Sequence, residues 1–147
     1  MFKHILVPTD GSPLSQDSVA RAVSFAKEAG ASLTFCHVEP PLPTAFGSLG
    51  GIASATIEQE FHAKVDGRAQ DILQAAERIA TEAGVPCARV LLVRSKPHEA
   101  IIEAATAQGC DLIFMASHGR RGVTALLLGS ETQKVLTHSK IPVLVYR

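Results

Sequence analysis

The chain has no excess of charge of either sign: fourteen lysines and arginines are matched by fourteen aspartates and glutamates. Nucleic-acid binders usually carry a basic excess or stripe, and this sequence shows neither. No apolar run approaches the roughly 18 residues that a membrane-spanning helix needs. The opening Met-Phe-Lys-His-Ile-Leu-Val-Pro8 is too short an apolar run for a signal peptide. Cysteine is scarce and odd in number. Cys36, Cys87 and Cys110 read as reduced core thiols rather than disulfide or metal ligands. Two familiar phosphate-binding signatures are also missing: no G-x-x-x-x-G-K-[ST] occurs, and no G-x-G-x-x-G follows a strand. These absences lead to the expectation of a cytoplasmic protein with neither nucleic acid nor membrane as partner.

What is present suits one packed domain over residues 1–147, with 46% hydrophobic residues. Five β-rich runs, His4–Pro8, Ser32–Val38, Ala88–Val93, Asp111–Ala116 and Pro142–Tyr146, alternate with helical patterns. Most are continuously apolar, as expected of parallel strands covered by helices on both faces. The first helix is capped by Ser12, has Pro13 at its first position and stops at Gly30, with Val19, Val23 and Ala26 inward. The second is expected from about Ile57 to Ala83, with Ile57, Phe61, Val65, Ala69, Ile72, Ala76 and Ile79 along one stripe. A third begins near Pro97, carries Ile101 and Ala105, and stops at Gly109. In the fourth, Ser130-Glu-Thr-Gln133 reads as a capping box, with Val135 and Leu136 turned inward. The pattern predicts a single doubly wound α/β domain. Between Glu39 and Thr56, three prolines and three glycines exclude a continuous helix or central strand. That segment reads as a mobile lid or binding loop, or as a surface insertion without a role.

Chemistry concentrates in two loops. The first strand ends in Pro8-Thr9-Asp10-Gly11-Ser12, and the fourth in Ala116-Ser117-His118-Gly119, with Gly129-Ser130 opening a helix after nine intervening residues. Glycines let backbone approach a phosphate, and helix N-terminal N–H groups supply donors and positive dipole. In an open α/β sheet, ligands sit beyond the carboxyl ends of the strands, where strand order reverses. Were the first and fourth strands neighbours, Asp10 would face the glycine loop across such a crevice. Asp10 can accept from a ribose or adenine edge, or can simply bond its own turn. Ser130 can bind phosphate or serve only as a cap. Arg120 and Arg121 can pair with phosphate oxygens or stand solvated. His118 is an acid or base beside the phosphates, or a turn residue. His4, His37, His62, His98 and His138 lack metal-ligand spacing and read as surface or satisfied core histidines.

With these residues the chain resembles the universal stress protein family over its whole length. The resemblance is carried by His4-Ile-Leu-Val-Pro-Thr-Asp10-Gly-Ser12, Cys36-His37-Val38, Met115-Ala-Ser-His-Gly-Arg-Arg-Gly122, Leu128-Gly-Ser130 and Ile141-Pro-Val-Leu-Val145. Nucleotide-binding members carry G-x2-G-x9-G-[ST], which this sequence matches from Gly119 onward; Ala116 stands where the first glycine would be. The resemblance implies a parallel sheet of order 3-2-1-4-5 and an adenine nucleotide, ATP or ADP or AMP, with Mg²⁺ as a conceivable companion. It implies that Asp10 contacts adenosine and that Val38 meets adenine through its backbone. Gly119, Gly129 and Ser130 would hold phosphates, and Pro8, Thr9 and Glu131 would complete the walls. Met115, Ala116, His118, Arg120, Arg121 and Gly122 fall in the same loop segment. It also implies a homodimer through the final strand, Pro142–Tyr146.

The function expected is therefore ATP binding in stress response, without efficient catalysis, slow hydrolysis being left open. The alternative is a nucleotide-free dimeric adaptor or chaperone-like protein. An adenylyltransferase or ATP pyrophosphatase would need H-x-G-H or S-G-G-x-D-S after the first strand, and Thr9-Asp-Gly-Ser-Pro13 is neither.

Overall fold

The computed structural model describes residues 1–42, 52–120 and 127–147. Five parallel strands alternate with helices in the order β1 (His4–Pro8), α1 (Pro13–Ala29), β2 (Ser32–Glu39), α2 (Ile52–Glu82), β3 (Cys87–Val93), α3 (Pro97–Ala107), β4 (Leu112–Ala116), α4 (Ser130–His138) and β5 (Val143–Tyr146). The sheet order is β3-β2-β1-β4-β5, the order that the family resemblance implies for the doubly wound domain that the sequence pattern predicts. The central strand β1 pairs on one side with β2 and on the other with β4, Ile5 lying opposite Leu112 and Leu6 opposite Ile113.

Alternation along β1 divides the core into two layers. Ile5 and Val7 face Val19, Ala22, Val23 and Ala26 of α1 and Leu73, Ala76 and Ala80 of α2. Leu6 points the other way, to Ile101, Ala104 and Ala105 of α3 and Val135 of α4. Helix α1 starts as its sequence requires: Ser12 is the N-cap, its hydroxyl accepting from Ser15 N, and Pro13 follows. It ends at Gly30, whose φ of 65° is left-handed. The three cysteines are free, two of them buried. Burial pushes the Cys36 thiol up to about 12 and Cys110 up to about 11. Cys87 is only partly covered.

Several expectations are corrected. Helix α2 begins at Ile52, not near Ile57, and β2 continues through Glu39. The stretch after Gly51 holds neither glycine nor proline before Gly67, so nothing in it opposes helix. The irregular segment is correspondingly shorter than Glu39–Thr56, and residues 43–51 of it lie outside the described residues. The stripe of α2 is buried only in its second half, through Ala69, Leu73, Ala76 and Ala80, whereas Ile57 and Phe61 stand exposed. In α4 no capping box forms. Gly129 is the N-cap, Ser130 is already helical, and no side chain caps the end. Gln133 instead donates from Nε2 to Leu128 O. Leu136 lies outward, because this short helix buries only Thr132 and Val135. Strand β4 starts one residue after Asp111, although Asp111 N donates to His4 O at 2.8 Å and its carboxylate accepts from Lys3 N and His4 N. Strand β5 likewise starts after Pro142, although Pro142 O accepts from Ile113 N at 2.9 Å.

Candidate functional site

Strand order reverses between β1 and β4, so the loops leaving these neighbours face each other at their carboxyl ends. The loop after β1 is held by its own polar side chains. Thr9 is buried; its N–H donates to Cys36 O at 2.8 Å, and its hydroxyl accepts from Ser15 Oγ at 2.8 Å. The Thr9 carbonyl accepts from His37 Nδ1 at 2.7 Å, and His37 Nε2 lies 2.6 Å from Glu39 Oε1. His37 is thus a satisfied core histidine that fixes the floor of the loop. Gly11 turns the chain at φ 75°, where a side chain would be strained and would strike Ile72 of α2.

Asp10 bonds its own turn and also crosses the crevice. One carboxylate oxygen accepts from Ser12 N at 3.0 Å, the other from Arg120 N at 2.8 Å. The Arg120 guanidinium donates in turn to Asp10 O. Burial raises the Asp10 carboxyl, but the Ser12 and Arg120 hydrogen bonds and the Arg120 charge outweigh it, and the net shift is downward. Asp10 is therefore anionic at neutral pH. Gly119 is needed here, since a Cβ at this position would collide with Asp10 Oδ2.

The other half of the site is the junction of β4 and α4. Gly129 N donates to Ser117 O at 2.8 Å, and a Cβ on Gly129 would lie 3.1 Å from His118 Cα. Thr132, buried in the first turn of α4, donates from its hydroxyl to Ala116 O at 3.1 Å. These contacts aim the start of α4 at the crevice. Its first intrahelical bond runs from Gln133 N to Gly129 O, so the N–H groups of Ser130, Glu131 and Thr132 have no acceptor within the helix. Ala116 ends β4 without backbone strain, as no non-glycine among the described residues has positive φ. His118 Nδ1 lies 3.1 Å from Ser117 Oγ, which fits a turn residue.

The structure thus gathers Pro8, Thr9, Asp10, Ala116, His118, Gly119, Arg120, Gly129, Ser130 and Glu131 around the ends of β1 and β4. Val38 is at the end of β2, on the α3 side of the sheet. Met115 is buried with Leu6 and Ile101 beneath the crevice. Arg121 and Gly122 lie outside the described residues. The Glu131 carboxylate is engaged elsewhere: its Oε2 accepts from His98 N at 2.9 Å and from His98 Nδ1 at 3.0 Å, and its Oε1 from Lys134 Nζ at 3.0 Å. Sequence reasoning misses Ser15, His37, His98 and Thr132 as supports of the site. A signal existed for Ser15 and His37: a polar residue placed on the buried face of a helix or inside a central strand requires a partner.

A model of the universal stress protein family matches residues 1–147. A universal stress protein of Thermus aquaticus is 36% identical over 151 aligned residues, covering 100% of each chain. The solved structure of the hypothetical protein MJ0577 from Methanocaldococcus jannaschii superposes with a TM-score of 0.81 at 28% identity, over 99% of this chain and 95% of that one. A universal stress protein solved in complex with cAMP gives a TM-score of 0.69 at 25% identity, over 99% and 97% of the two chains. The whole-length match, the shared sheet order and the paired loops lead to one conclusion: the chain belongs to the universal stress protein family.

Proposed function

We propose that the chain binds an adenine nucleotide across the β1–β4 crevice and uses it as a signal rather than a fuel. The observation that carries this reading is the close approach of the two loops that Gly119 and Gly129 permit. A Cβ on Gly119 would strike Asp10 Oδ2 across the crevice, and one on Gly129 would press on His118 Cα within the β4–α4 junction. Gly129 also opens a helix whose first N–H groups have no acceptor within the helix. Asp10 supplies acceptor oxygens for a ribose or adenine edge. The start of α4 supplies donors and positive dipole for phosphates, with Arg120 beside Asp10. The relative solved with cAMP supports adenine nucleotides as the ligand class. ATP is our choice among them, because a helix N-terminus and an arginine reward added phosphate charge. Mg²⁺ enters as the counter-ion of the triphosphate, since the Asp10 carboxylate already accepts from two backbone N–H groups. In this reading the protein acts in the cytoplasmic stress response, has no efficient catalysis, and pairs with a second copy through β5.

The test is to denature freshly purified protein, chromatograph the supernatant, and titrate stripped protein with ATP in a calorimeter. We expect co-purified adenine nucleotide and saturable binding. An extract without nucleotide, together with no heat on titration, would overturn the reading and leave the nucleotide-free adaptor in its place.

A further inference from the structure

A carboxylate in the first turn of a phosphate-binding helix is a problem that this fold has to solve. Glu131 is the second residue of α4. The dipole and N–H groups that attract phosphate attract this side chain equally, and an unrestrained carboxylate there would compete with the ligand and repel it. The structure shows both oxygens of Glu131 drawn away. Its Oε2 takes the backbone N–H and Nδ1 of His98, and its Oε1 takes Lys134 Nζ.

The His98 end of this clamp is built into α3. That helix has Lys96 as its N-cap and makes no side-chain cap hydrogen bond of its own. Glu131 reaches across from α4 and accepts the orphan N–H of His98, capping α3 from outside. The His98 ring is largely covered, with 13% of its side chain exposed, and packs against His138 with ring centroids 6.0 Å apart. Burial raises the Glu131 carboxyl, but hydrogen bonds from Lys134 and His98 prevail and lower it, so the group held is the anion.

We propose that His98 and Lys134 are positioning residues that hold the Glu131 carboxylate on the N-terminus of α3, so that the N-terminus of α4 stays open to phosphate. The inference rests on the nucleotide site proposed above and adds a division of labour between two neighbouring helix ends. One is capped by a protein carboxylate, the other reserved for a ligand anion.

The test compares ATP with adenosine, by calorimetry, on wild type, His98→Ala/Lys134→Ala, and the same pair combined with Glu131→Gln. Releasing Glu131 should weaken ATP about tenfold, through an added like charge near the phosphates, and adenosine less than about twofold. Removing the released charge with Glu131→Gln should recover most of the lost ATP affinity. Equal losses for ATP and adenosine, or no recovery in the triple variant, would show a merely structural contact and overturn the inference. Lys134→Ala alone, at a half-exposed position, serves if the pair fails to fold; it should cost ATP about threefold and adenosine nothing measurable. Wild-type protein that binds no nucleotide defeats the site itself. Wild type that binds ATP while the variants match it defeats only the clamp.

Discussion

Gly119 shows how one missing side chain joins two loops that are more than a hundred residues apart in sequence. Its backbone lies against the Asp10 carboxylate, while the next residue, Arg120, bonds Asp10 from both its N–H and its guanidinium. In Gly119→Ala the new methyl must displace Asp10 Oδ2, because φ at this glycine is ordinary and the obstacle is purely spatial. Gly119 is exposed and outside both core layers, so the fold should persist. We expect unchanged circular dichroism and a loss of ATP affinity of about tenfold or more, in line with removing a charge-assisted contact. Unaltered affinity would mean that the Asp10 contact has no part in binding. Gly129→Ala should be milder, since its nearest neighbour would be 3.1 Å away.

At the scale of elements, α2 is two helices in one. From Ala69 onward it is sealed to the sheet by Ala69, Leu73, Ala76 and Ala80; before that, Ile57 and Phe61 face outward. Leu73 is the only large side chain of that buried seam, and Leu73→Ala should cost about 2–4 kcal/mol in chemical denaturation. Gly67 sits mid-helix with nothing within 4 Å of where a Cβ would be. Gly67→Ala should therefore stabilise by roughly 0.5–1 kcal/mol, seen as a rise in Tm. A loss instead would show that the helix is not formed through this residue. This helix also marks where the sequence was legible and where it was not. Periodicity exposed its existence and its end at Gly84, because those are local properties of the chain. It chose Ile72 over its neighbour Leu73 and extended the stripe to Ile57, because a periodic pattern says which residues share a face but not how much of that face meets the sheet. The capping box at Ser130 failed for a related reason. The Ser-x-x-Gln spacing was present, but the tertiary bond from Gly129 N to Ser117 O makes Gly129 the cap.

For the whole molecule, the sheet order and crevice were readable because continuous apolar strands, glycine stops and family motifs all point to one topology. The cross-helix bond between His98 and Glu131 was not, since it joins residues that no motif pairs. The two sheet edges differ in a way that bears on assembly. Edge strand β3 carries Arg89, paired with Glu77 at 3.5 Å, and is followed by Arg94. Charges on an edge discourage pairing with another chain. The opposite edge, Val143-Leu-Val-Tyr146, holds no charge, pairs only with β4 among the described residues, and has every side chain half-buried. Balanced net charge offers little long-range repulsion between copies. Association should therefore proceed through β5, and light scattering at micromolar concentration should give twice the mass of the chain. Val145→Lys places a charge on that edge and should yield a monomer whose circular dichroism matches wild type. A wild-type monomer would remove β5 as an interface, and a dimer that survives Val145→Lys would move the interface elsewhere on the surface.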